Sequence, residues 1–152
     1  MLQSMTRTAN ETSTDATATA LRAAGYRVTP QRLVVHRTMM DLDRHVGAEE
    51  LLEAVGERLP NVSLPTVYAA LGALEDAGLV RRVPLSRGRT LYDSRVSQHH
   101  HLVCRRCGAV EDLDAGVALD AALSSASEHG FTPDGAEVVV HGLCAACAAE
   151  RS

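Results

Sequence analysis

Four cysteines in two C-x-x-C pairs constrain this chain more than any other feature. Cys104 pairs with Cys107 and Cys144 with Cys147, and no cysteine is left over. A two-residue gap lets both thiolates of a pair reach one ion from a tight turn. Two such knuckles close a tetrahedral four-thiolate site, the arrangement structural zinc favours. Gly108, directly after Cys107, fits the turn. Two disulfides, or a redox C-x-x-C, are the other readings of the same pairs. The N-terminus has no basic segment, apolar core and small-residue cleavage site, and no apolar run approaches the ~20 residues of a membrane helix. A cytoplasmic protein is therefore expected, a setting that disfavours structural disulfides. A redox motif needs only one pair. Zinc is the expected occupant, tying the C-terminal strand to the first hairpin of a small domain.

The rest of the chain is organised around that domain. At 152 residues, 45% apolar and 22% charged, it suits one globular domain or two small ones. Residues 1–15 are Thr/Ser/Asn-rich and are expected to form a disordered tail. A short helix is expected over 16–24, stopped by Gly25, and a second from Thr29-Pro30, with Thr as N-cap and Pro in the first turn. A third is expected over 48–59. A fourth begins at Ser63 with Pro65 in its first turn, spaces Val67, Leu71 and Leu74 helically, and stops at Gly78. Leu79–Val83, a turn over 84–88 and Arg89–Tyr92 read as a two-stranded hairpin. Helices followed by a hairpin form a winged helix, expected over 16–93. Residues 94–98 read as a hinge. Residues 99–152 read as a small α/β unit, with strands near 101–105 and 109–113, a helix over about 115–129 and a strand through 138–140. The fold class is α+β. Charge divides likewise: the formal −4 is +1 over residues 1–98 and −5 over 99–152.

Two further groups carry chemistry. His99-His100-His101 precedes Cys104; on a strand His99 and His101 share a face and His100 opposes them. Paired imidazoles at that spacing suit Fe, Ni, Zn or Mn according to their co-ligands. Asp93 lies just upstream, Asp112 on the next expected strand, and His45 near the start of the third helix. The other group is the fourth helix with Tyr68, plus Arg81, Arg82, Arg87 and Arg89 on the hairpin. A recognition helix offers a few side chains to base edges while Arg residues hold phosphates. The competing reading packs Tyr68 in the core and leaves the arginines solvated.

In combination these motifs resemble the ferric uptake regulator family. Gly25-Tyr26-Arg27-Val28-Thr29-Pro30-Gln31-Arg32 resembles its first-helix signature. Ser63-x-x-Thr66-Val67-Tyr68-x-x-Leu71-x-x-Leu74-x-x-x-Gly78-Leu79-Val80 resembles its recognition helix. His99-x-His101-x-x-Cys104-x-x-Cys107-Gly108 and Cys144-x-x-Cys147 resemble its metal-binding half. The resemblance implies a dimeric, metal-dependent repressor that binds an inverted-repeat operator in double-stranded DNA and associates with no membrane. It places structural zinc on Cys104, Cys107, Cys144 and Cys147. It places a regulatory Fe(II) or Mn(II) on His45, Asp93, His99, His101 and Asp112. Arg22, Arg32, Ser63, Thr66, Tyr68 and Arg87 are then expected at the DNA, and no enzymatic activity is expected.

Aspartate at both 93 and 112 resembles the peroxide-sensing branch, in which peroxide reacts at bound Fe(II) and oxidises a ligand imidazole, here His45 or His99. Glu111 beside Asp112 would replace it after a one-residue strand shift. Ala69-Ala70 depart from the usual pattern after Tyr68. Leu119 stands where some relatives have a carboxylate. His141 reads as strand packing or, with His100, as part of a further site. Gly47 replaces the usual hydroxyl cap after His45. The alternatives are an iron-level, zinc or nickel sensor and, in other classes, a C-x-x-C redox enzyme or a metal-storage protein.

Overall fold

The structure, a computed structural model, describes the backbone of residues 2–86 and 88–151 and the side chains of residues 11–83 and 88–151. The chain divides into two compact units, Met1–Pro84 with Arg89–Val96, and Leu85–Gly88 with Ser97–Ser152. No helix among the described residues is long and apolar enough to cross a membrane.

Helix α1 runs Leu2–Ala23, so the stretch 1–15 expected as a disordered tail is helical from Leu2 onward. Thr17 and Thr19 donate to the carbonyls of Ser13 and Asp15 one turn back, each at 2.9 Å. Ser13 and Thr17 also reach the second helix, at Met40 and His36. Tertiary docking thus supplies what composition lacks. Gly25, at φ +85°, ends the helix as expected, and the Tyr26 amide returns to the Leu21 carbonyl at 2.9 Å.

Helix α2, Pro30–Leu42, starts at the expected cap: the Thr29 side chain accepts from the Arg32 amide. Helix α3 covers Ala48–Gly56 and α4 covers Leu64–Asp76, capped by Ser63. Helix α4 turns Val67, Ala70, Leu71, Ala73 and Leu74 inward. They join Leu21, Val35, Met39, Leu51 and Val55 in one apolar core. A short strand that the sequence does not announce, β1 (Val46–Gly47), pairs antiparallel with the second arm of the hairpin. The hairpin is β2 (Arg81–Ser86) and β3 (Arg89–Asp93), in the order β1-β3-β2. Strand β2 continues through Pro84, Leu85 and Ser86, which were expected to be turn.

In the second unit β4 (His100–Cys104) is central, antiparallel to β5 (Val110–Leu113) and parallel to β6 (Val139–Gly142). Helix α5, Asp120–Glu128, is shorter than the expected 115–129. Leu119 provides no side-chain cap, and Gly116 lies upstream. A helix the sequence reading did not anticipate, α6 (Ala145–Ala149), follows Cys144.

Candidate metal centres

The two knuckles meet in the second unit. A tight turn after β4 returns the chain: the Gly108 amide donates to the Cys104 carbonyl at 3.0 Å, and the Cys104 amide to the Ala109 carbonyl at 2.9 Å. Gly108 sits at φ +75°, where a side chain would strain the turn. The second knuckle is the start of α6, with Cys144 as N-cap and Cys147 in the first turn. Parallel pairing sets Cys104 opposite Gly142, which delivers that helix start to the first turn.

All four cysteines are free thiols, and their sulfurs lie within 4.8 Å of one another. Cys107 Sγ and Cys144 Sγ are 3.8 Å apart. A tetrahedron of ~2.3 Å zinc–sulfur bonds has edges of roughly 3.8 Å, so the donors fit zinc. The electrostatics agree. Hydrogen bonds from the Cys107 and Cys144 backbone bring the Cys104 thiol down to about 6. Hydrogen bonding with Cys144, followed by burial, pushes Cys147 up to about 12. Cys104 forms its thiolate easily while Cys107 and Cys147 resist; a bound cation would let them ionise together.

The nitrogen and oxygen donors form one group in each unit. In the first, β1–β3 pairing aligns Val46 with Tyr92 and Gly47 with Leu91, so the next step along the ladder sets His45 against Asp93. Asp93 Oδ1 accepts from the Arg95 amide at 2.9 Å, and Oδ2 lies 3.4 Å from His45 Nε2. Both side chains are buried. A Cβ at Gly47 would stand 3.2 Å from Arg89 Nη2, whose guanidinium holds Glu50 at 2.9 Å.

In the second unit, β4 turns His99 and His101 to one face, their ring centroids 4.6 Å apart. Register sets Asp112 opposite His101 and Glu111 opposite Leu102. Asp112 Oδ1 lies 3.1 Å from His99 Nε2. Asp112, not Glu111, therefore shares the face of the imidazoles. His99 Nδ1 is 2.7 Å from the Ser97 carbonyl, which accepts its N–H and turns Nε2 toward Asp112. Ligand atoms of His99, His101 and Asp112 lie within 4.8 Å of one another. Imidazole and carboxylate donors of this kind suit Fe(II) or Mn(II). His100 and His141 do not form a further site together. His141 pairs with Val103 and so shares the His101 face, whereas His100 points the other way and accepts from the Val138 amide at 3.0 Å.

The residues expected at DNA fall into several groups. Ser63 caps α4, and its hydroxyl lies 2.8 Å from that of Thr66 in the first turn. Tyr68 is 45% exposed on the same helix, which removes the reading that packs it in the core. Arg32 donates to the Arg27 carbonyl, and its guanidinium lies 5.1 Å from the Tyr26 ring centroid. Arg22 is exposed in the last turn of α1. Arg87 lies outside the described residues. On the hairpin, Arg82 pairs with Glu75 at 3.0 Å.

The ferric uptake regulator family model matches residues 23–141. The transcriptional regulator FurA of Mycobacterium tuberculosis is 41% identical over 128 residues, 84% of this chain and 86% of that protein. The peroxide-responsive repressor PerR of Staphylococcus epidermidis is 27% identical over 131 residues, 86% of this chain and 87% of that one. The likeness therefore runs more strongly to FurA than to the peroxide-sensing branch. Among solved structures, the Vibrio cholerae ferric uptake regulator superposes with a TM-score of 0.69 at 29% identity, covering 84% of this chain and 98% of that one. A zinc uptake regulator complexed with zinc and DNA superposes at 0.64 with 30% identity, covering 93% and 97%. This chain belongs to the ferric uptake regulator family of metal-responsive transcriptional regulators.

Proposed function

We propose that this protein is a homodimeric repressor that binds an inverted-repeat operator when Fe(II) or Mn(II) occupies a site built from His45, Asp93, His99, His101 and Asp112. The observation that carries this reading is the separation of donor chemistry. One cluster is all thiolate, and the other two groups are all imidazole and aspartate. Thiolates retain zinc; nitrogen and oxygen donors hold Fe(II) or Mn(II) more loosely and so respond to supply. His45 and Asp93 belong to the first unit, and His99, His101 and Asp112 to the second. A cation needing both groups would favour one arrangement of the recognition helices, matching half-site spacing. Helix α4 presents Tyr68 for base contact, with Arg22, Arg32 and Arg87 for phosphates. The second unit leaves Val140, Leu143 and Phe131 exposed, apolar surface suited to a second copy.

The test is selection of genomic DNA fragments by the Mn(II)-loaded protein, followed by gel shifts. A palindromic site is expected, bound with Mn(II), released by chelation and lost in His101→Ala, with affinity falling steeply as salt rises. Failure to select any fragment overturns the reading.

Peroxide sensing is the second reading, favoured by the short carboxylates that approach His45 and His99 at 3.4 and 3.1 Å. Bound Fe(II) supplies the electron chemistry with peroxide that Mn(II) lacks. Mass spectrometry after Fe(II) and peroxide should show one added oxygen on the His45 or His99 peptide. Unmodified peptides leave plain metal sensing.

A further inference from the structure

Glu137, just ahead of β6, stands next to His101 without belonging to the donor group around it. On the middle strand His101 has Asp112 opposite it on β5 and Val139 opposite it on β6. The His101 amide donates to the Val138 carbonyl at 3.0 Å, anchoring the chain immediately after Glu137. From that side Glu137 Oε2 lies 3.9 Å from His101 Nδ1. The imidazole is fully buried, while the carboxylate keeps a third of its surface in solvent. His101 thus lies between two acids on one sheet face. Asp112 shares the compact set of ligand atoms; Glu137 is outside it.

His99 shows what an outer partner does for a ligand imidazole. Ser97 takes its Nδ1–H, and Nε2 turns to the donor group. A neutral imidazole has one N–H, and whichever atom accepts it decides which nitrogen keeps a lone pair. We propose that Glu137 is the positioning residue for His101: its carboxylate accepts the Nδ1–H, fixes the tautomer with a lone pair on Nε2, and makes that nitrogen a stronger donor to the regulatory cation. Closing the gap to a charge-assisted hydrogen bond requires a movement of about 1 Å, which the partly solvated side chain can make. Two histidines two residues apart are then oriented by different means, a backbone carbonyl from the chain before β4 and a carboxylate from the chain before β6. The inference rests on the regulatory-site reading given above.

The test uses the full chain with its zinc retained. Free Mn(II) is followed by electron paramagnetic resonance during titration of wild type, Glu137→Ala, Glu137→Gln and His101→Ala. Glu137→Ala should bind Mn(II) ~10–100-fold more weakly, the usual cost of losing such an outer partner. Glu137→Gln, whose amide oxygen still accepts, should recover part of the loss. Nitrogen-15 spectra of the Mn-free, zinc-loaded protein should show the proton on His101 Nδ1 in wild type and a mixture of tautomers in Glu137→Ala. Mn(II) affinity equal to wild type in Glu137→Ala overturns the proposal, as does a His101 tautomer that the substitution leaves unmoved. Mn(II) affinity equal to wild type in His101→Ala brings down the regulatory-site reading instead, and the tautomer still decides whether Glu137 orients the ring.

Discussion

The two units reach stability by different routes. The first gathers Leu21, Val35, Met39, Leu51, Val55, Val67, Leu71 and Leu74 from four helices, each at most 1% exposed. Each fully buried side chain of this size contributes ~1.5–3 kcal/mol by leaving water. Among the described residues of the second, the buried side chains are Val103, Cys104, Cys147, His99 and His101, and α5 buries none. The first is therefore expected to rest on apolar burial and the second on metal held by its polar and sulfur side chains. Small units with thin cores need such help.

Removing zinc from the second unit is the most forceful test of that contrast. Structural zinc binding in small finger peptides amounts to ~10–16 kcal/mol of folding free energy. Cys104→Ser, or strong chelation, should unfold β4–β6 while α1–α4 survive, read by amide exchange along the chain. Uniform loss of protection would break the distinction. Next in size, Leu71→Ala should destabilise the first unit by ~2–5 kcal/mol through the cavity it leaves. Denaturant melts should show that loss with zinc affinity unchanged.

A finer comparison sets the two neighbouring acids of β5 against each other. Asp112→Asn should weaken Mn(II) binding about tenfold, ~1.4 kcal/mol. Glu111→Gln, on the opposite face, should stay within about twofold. The smallest effect concerns acid. Burial holds the His36 imidazole below its usual value, partly offset by a hydrogen bond to the Leu79 backbone, and Thr17 Oγ1 lies 2.8 Å from its Nδ1. The unfolded chain takes up that proton first. The contribution of His36 is therefore complete above pH ~6.5 and is lost as pH falls toward the depressed folded value, by at most ~1.4 kcal/mol per pH unit. His36→Gln should flatten the acid side of the stability profile of the first unit and leave the second unchanged.

The local punctuation of the fold was legible. Thr29-Pro30, Ser63, Gly25 and Gly78 mark ends the helices take, because caps and left-handed residues act within one turn. The clustering of Cys104, Cys107, Cys144 and Cys147 was legible for the same reason, since C-x-x-C spacing is itself a geometry. What escaped depends on partners distant in sequence. Helix α1 meets α2 through Ser13 and Thr17. Strand β1 is two residues long and is defined by β3. The choice of Asp112 over Glu111 came from register, which composition does not set. Helix α6 did leave a signal in the sequence, the alanines around Cys147. Ser97 and Glu137 belong to no motif, because a backbone carbonyl and a lone acid are recognisable as partners only once the sheet exists.

The thiol cluster joins Cys107 to Cys144, 37 positions further along. At ~5–20 residues per second, a ribosome takes roughly 2–7 s to cross that interval. Throughout it the nascent chain carries half of the thiol set, with every residue of α1–α4 already synthesised. Order of synthesis thus separates the two: the helices are made seconds before the second knuckle that completes the thiol set.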